Sequence, residues 1–162
     1  MAKAESSGKV ELCMVSSGET EVPYDWHCGP YWSRFFRGLR DERKIYATKC
    51  PSCGRVYIPP REVCGPCFAK MEEWVEVGPE GIIEMFTVVR HAYTNPSTGR
   101  PVRTPRTDVY VKLDGADTTL MHRLNETDES KISVGMRVRA IFREKRTGTI
   151  HDIEHFQLVK SG

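Results

Sequence analysis

No window of this chain approaches the roughly 20 consecutive apolar residues that a membrane-spanning helix requires. The opening stretch, MAKAESSGKVELCMVSSGETEVP, also lacks a run long enough for the apolar centre of a signal peptide. The expectation is a cytoplasmic protein. Excess charge of one sign is missing too: 24 basic residues stand against 22 acidic ones, a net charge of +2. The chain as a whole exerts no strong pull on nucleic acid or membrane, so any such attraction must be local. Catalytic signatures are also scarce. There is no Gly-x-Ser-x-Gly elbow and no phosphate-cradling Gly-rich loop, and none of His27, His91, His122, His151 and His155 lies in a recognisable catalytic motif. No independent enzyme is legible, and no catalytic residue is expected.

Cysteine is what the sequence does supply. Four of its six cysteines fall in CPSCGRVYIPPREVCGPC, two Cys-x-x-Cys pairs separated by ten residues. In a reducing compartment such pairs indicate metal rather than disulfides. Two intervening residues let neighbouring sulfurs reach one ion without straining the backbone, so Cys50, Cys53, Cys64 and Cys67 can surround a tetrahedral metal. Gly54 permits the first knuckle's turn, and Gly65 lies inside the second. Zinc is the first choice for four sulfurs, with iron the alternative. A closed four-thiolate shell leaves no position for water or substrate, so the metal is expected to be structural. Cys13 and Cys28 read as free thiols.

The rest of the chain reads as four segments. Residues 1–22, rich in Ser, Gly, Glu and Lys without a clear period, suggest a flexible tail around a small apolar centre at Leu12, Met14 and Val15. In 23–43, Trp32, Phe35, Phe36 and Leu39 recur at the i, i+3, i+4, i+7 spacing of one helix face. Pro30 is acceptable in that helix's first turn. The aromatic residues Tyr31, Trp32, Phe35 and Phe36 have two readings, cover for the protein's own core or docking onto another subunit. The cysteine section occupies 44–74. Residues 75–162 hold five strand patterns, at GIIEMFTVV, DVYVKLDG, DTTLMHRL, VGMRVRAIF and IHDIEHFQLV. In the fourth, Val134, Met136, Val138, Ala140 and Phe142 share one face. Five short strands without an intervening long helix point to a mainly β protein with a small Greek-key barrel of the OB type.

Between Glu84 and Asp108 there is no acidic residue, yet Arg90, Arg100, Arg103 and Arg106 all occur, largely in the Pro-rich loop TNPSTGRPVRTPRT. Arginine suits bidentate contact with phosphate oxygens. The loop could meet coenzyme A, an RNA backbone or a partner's acidic residues; the plainer reading is a solvated loop. A zinc ribbon joined to an OB barrel also raises a nucleic-acid-binding module as a competing function.

The aromatic helix, KCPSCGRVYIPPREVCGPC, EEWVEVGPEGIIEMFTVV, DVYVKLDG and VGMRVRAIF, in that order, resemble the zinc-ribbon/OB-fold family of acyl-CoA-associated proteins. The resemblance runs over roughly 28–160. It rests on the four-cysteine ribbon with Pro60 and Arg61 before its second knuckle, the Glu73–Trp74 pair, and the Gly135-to-Val138 turn into a late strand. It implies a rubredoxin-like ribbon with structural zinc, an OB barrel, and a non-catalytic accessory subunit. The implied partners are thiolase-fold catalytic subunits or acyl-CoA hydratases, in a hetero-oligomer with acyl-CoA at or near the shared interface. Two departures stand out: the longer VGPEG turn before the first barrel strand, and the extended arginine loop. Assigning Arg100, Arg103 and Arg106 to the coenzyme's phosphates comes from charge alone, since no family residue maps onto them.

Overall fold

The computed structural model describes residues 14–16, 25–96 and 98–159. The expected tail, 1–22, lies outside these residues except at its centre. There Met14–Ser16 (β1) pairs antiparallel with Asp25–His27 (β2).

Helix α1 spans Gly29–Arg37, with Pro30 in its first turn, and continues as one wide π-type turn over Gly38–Glu42. This wide turn packs closely against Tyr46. A Cβ at Gly38 would sit 2.5 Å from the Tyr46 ring, so only glycine permits the approach. Arg43, left-handed at φ 57°, ends the turn. The aromatic face is turned inward: Phe35, Phe36 and Leu39 are buried.

The ribbon is a three-stranded sheet of Ile45–Lys49 (β3), Val56–Tyr57 (β4) and Glu73–Val77 (β5), with β3 in the centre. Short bonds fasten it to the second module. The Val56 N–H donates to an Asp117 carboxylate oxygen at 2.8 Å, and the Asp117 N–H returns a bond to the Val56 carbonyl at 2.9 Å. The Ile58 N–H donates to Thr118 Oγ1 at 2.7 Å, and that hydroxyl donates to the Ile58 carbonyl at 2.8 Å.

That second module is a closed five-stranded barrel: Glu80–Val89 (β6), Arg106–Leu113 (β7), Thr119–Leu124 (β8), Arg137–Phe142 (β9) and Ile153–Leu158 (β10). Its circular order is β10-β8-β7-β6-β9. All five expected strands are present. Closure between β10 and β8 is parallel, through Phe156 and Leu124, while the other pairings are antiparallel. At Gly81, β6 crosses so close to β7 that a Cβ would lie 2.3 Å from the Lys112 carbonyl oxygen.

Periodicity misses two local features. A bulge between Ile83 and Met85 shifts the parity of β6. Gly81 and Ile83 face inward before it, Phe86 and Val88 pack inward after it, and Met85 is left outside. Val134 and Met136, expected on the core face with Val138 and Ala140, are exposed because they precede β9 in the turn around Gly135, whose φ is 89°. The larger of two apolar clusters runs from Phe35 and Leu39 of the helix through Ile45 and Ile58 of the ribbon to Val109, Val111 and Phe156 of the barrel, and a smaller one of Cys50, Tyr57, Cys64 and Met71 surrounds the cysteines.

Candidate metal centre and docking surface

The two cysteine knuckles are copies of one backbone pattern. The Cys50 N–H donates to the Arg55 carbonyl, and the Gly54 N–H to the Cys50 carbonyl; the Cys64 N–H donates to Ala69, and the Phe68 N–H to Cys64, all at 2.9–3.0 Å. The pattern requires a left-handed residue after the second cysteine. Gly54 provides it in the first knuckle at φ 73°; in the second the position is held by Phe68 at φ 54°, not by a glycine. Gly65, the glycine that the sequence offers inside the second knuckle, is not among the residues with positive φ.

The knuckles bring all four sulfurs within 4.8 Å of one another, with Cys50 and Cys64 buried and Cys53 and Cys67 at the surface. Four sulfurs about 2.3 Å from a tetrahedral zinc are spaced about 3.8 Å apart. Cys53 Sγ and Cys64 Sγ lie 3.8 Å apart, so the donor set fits a structural zinc. Two of the four thiols are pulled in opposite directions. The Cys53 backbone N–H, aimed at Cys50 Sγ, draws the Cys50 thiol down to about 6, whereas the Cys53 thiol beside it pushes Cys67 up to about 12. A divalent cation removes that conflict by holding all four as thiolates. Tyr57 Oη, 3.6 Å from Cys64 Sγ, is placed to donate to one of these sulfurs from outside the ligand set.

The helix aromatics do not form one docking face. Phe35 and Phe36 belong to the protein's own core, because the helix's i, i+3, i+4 face is the one turned onto the ribbon and barrel. Tyr31 stacks on Trp74 of β5 at 5.6 Å between ring centroids, and the Arg34 guanidinium lies 4.5 Å from the Trp74 ring centroid. Trp32 remains 37% exposed, and Trp26, for which the sequence suggested no role, is 42% exposed. Both line a shallow hollow with Cys28 and Phe36. A neighbouring cleft of about 500 Å³ is formed by Pro30, Tyr31 and Trp32 of the helix and by Pro59, Pro60 and Arg61 of the ribbon.

The arginines of the long loop are not one cluster either. The loop closes as a small arm, with the Asn95 N–H donating to the Arg100 carbonyl and the Val102 N–H to the Tyr93 carbonyl, both at 2.8 Å. Arg100 and Arg103 are exposed on this arm. Arg90 pairs with Glu129 at 2.8 Å. Arg106 belongs to β7, where it bonds Asp108 at 3.0 Å and lies over the Tyr93 ring.

Comparison with known proteins agrees with this architecture. Residues 37–72 match the family model described as "ChsH2, rubredoxin-like zinc ribbon domain", and 74–143 match "ChsH2, C-terminal OB-fold domain". A "DUF35 domain-containing scaffold protein" of Methanocaldococcus jannaschii is 27% identical over 112 residues, covering 68% of this chain and 75% of that protein. Among solved structures, a chain of the "Ltp2-ChsH2(DUF35) aldolase" aligns with a TM-score of 0.58 at 21% identity, over 78% of this chain and 92% of that one. A DUF35-family protein of unknown function from Sulfolobus solfataricus aligns with a TM-score of 0.55 at 22% identity, over 81% and 83%. At these identities the structural likeness is one of fold, while the two family models account in order for the ribbon and most of the barrel. This chain belongs to the DUF35 family of zinc-ribbon/OB-fold proteins.

Proposed function

We propose that this protein is a non-catalytic accessory subunit of a thiolase-type acyl-CoA enzyme, working in the cytoplasm and helping to form or cover the acyl-CoA site. The observation that carries the reading is the exposed indole pair, Trp26 and Trp32, beside the proline-lined cleft between helix and ribbon. Large aromatic rings left partly in water next to a rigid metal-held module are the usual composition of an interface core. The relatives support the same reading: one is named a scaffold protein, and another is a chain of an aldolase named for two components. In the proposal Tyr31 and Trp32 dock the partner, zinc holds the ribbon, and Arg100, Arg103 and Arg106 face the coenzyme's phosphates. The finer reading makes the partner the catalytic subunit of benzoylsuccinyl-CoA thiolase, in anaerobic toluene degradation. It extends from the sequence resemblance.

Affinity purification of the tagged protein from its own cells, followed by mass spectrometry, tests the assignment. A near-stoichiometric thiolase-fold enzyme is the expected companion, and activity is expected only after the two are combined. Thiolase turnover by the isolated chain would overturn the accessory role. Arg103→Ala should weaken coenzyme A binding to the assembled complex; unchanged affinity would remove the arm from the coenzyme site. Salt-sensitive binding of the isolated chain to single-stranded RNA, with no enzyme recovered, would favour the nucleic-acid module instead.

A further inference from the structure

A second cleft lies on the barrel, away from the cysteines. It measures about 310 Å³ and is lined by Arg106, Asp108, Met121, His122, Arg123 and His151. No sequence pattern announces it, because its residues come from β7, β8 and the short helical turn Ile150–Asp152, which only barrel closure brings together. Register places the partners side by side. Asp108 pairs with Arg123, and Tyr110 with Met121, on the outward face of β7 and β8.

The cleft's polar groups are unevenly used. Two guanidinium groups face one carboxylate. Asp108 holds Arg106 through Nη2, leaving the buried Arg106 Nε–H without a partner among the described residues. Arg123 is exposed and has no ion-pair partner among them. His122 uses Nε2 on the Ile150 carbonyl at 3.2 Å, and its buried Nδ1 has no partner either. From Met121 in the cleft an apolar row continues outward, since register sets Met121 beside Tyr110 and Tyr110 beside Met85 on three neighbouring strands. Met85, Tyr110 and Met121 are 60%, 40% and 55% exposed, large apolar surface with no cover among the described residues.

The geometry points to a binding site for a nucleoside phosphate: Arg123 and Arg106 hold the phosphate oxygens, and the Tyr110–Met121 pair carries the base. Guanidinium forks match phosphate geometry, and an aromatic ring beside a thioether suits a planar base. The ligand class is shared by free nucleotides and by the nucleotide end of coenzyme A. Arg106 belongs also to the coenzyme-phosphate set proposed above, but the site is tested on the chain alone and does not rest on its being an accessory subunit.

Calorimetric titration of the full chain with ADP, inorganic pyrophosphate and coenzyme A tests it. Saturable one-to-one binding of ADP is expected, weaker at higher salt, with pyrophosphate weaker than ADP. Arg123→Ala, at an exposed side chain whose loss leaves the fold intact, should reduce both affinities by about tenfold. Tyr110→Ala should reduce ADP affinity while leaving pyrophosphate unchanged. Coenzyme A bound more tightly than ADP identifies the coenzyme as the source; equal affinities identify the free nucleotide. The site is overturned if none of the three probes binds saturably, or if Arg123→Ala leaves their affinities unchanged.

Discussion

Phe68 breaks the symmetry of the two knuckles. A non-glycine residue in the left-handed region costs about 1–2 kcal/mol, and Phe68 is 82% exposed, so little burial offsets the strain. Phe68→Gly is expected to stabilise the isolated chain by about 0.5–1 kcal/mol, after glycine's extra unfolded-state entropy is counted, with metal content unchanged. Thermal unfolding checks this; a fall in stability would show that the ring packs usefully in the free protein. His122 gives a second prediction. Burial pushes its imidazole down to about 4 from the ordinary 6.5, with the neighbouring His151 and Arg123 adding to the effect. The folded state thus resists a proton that the unfolded chain accepts. Its contribution is whole above pH 6.5 and lost as pH falls towards 4, by up to about 3 kcal/mol. Urea unfolding of His122→Gln beside the wild type should show a shallower loss across that window; parallel curves would argue against a neutral buried imidazole.

At the scale of elements, the aromatic face of helix α1 is buried at Phe35 and Phe36 and reaches solvent at Trp32. Phe35 is fully buried, and Phe35→Ala should cost about 3–5 kcal/mol through lost burial and the cavity left behind. Trp32, at the open edge of the same face and 37% exposed, should matter less to the fold: Trp32→Ala is expected to cost the isolated chain about 1–2 kcal/mol, through lost contact with the Phe35 and Phe36 rings. It should also weaken association with the partner by about tenfold or more. Denaturant unfolding and pull-down on the same two variants separate the roles, and equal destabilisation by both would return Trp32 to the core. The helix itself was legible from the spacing of Trp32, Phe35, Phe36 and Leu39. Which ring stayed in water was not, because a helix's apolar stripe does not say where its neighbouring elements stop. The bulge in β6 escaped for a related reason. Both faces of GIIEMFTVV are apolar enough to be core, so alternation could not reveal the slip that puts Met85 outside.

At the scale of the whole molecule, ribbon and barrel share one core and are bonded through Val56–Asp117 and Ile58–Thr118. Metal loss should therefore be felt beyond the ribbon. Cys64→Ser, or zinc removal by a chelator, is expected to lower the melting temperature of the entire chain in a single transition, with zinc measured by atomic emission. An unchanged barrel transition beside a disordered ribbon would show two independent modules.

The sequence by itself determined the four-cysteine cluster, the helix and the five strands, and pointed to a small barrel of the OB type. These depend on spacing along the chain: two residues between sulfurs, 3.6 per helical turn, two per strand repeat. Tertiary structure alone decided which aromatics are core and which are surface, where Arg106 belongs, and how His122, Arg123 and His151 meet around one cleft. Those outcomes depend on contacts between residues far apart in sequence. β7, β8 and the turn before β10 become neighbours only when the barrel closes, and no period along the chain encodes that closure.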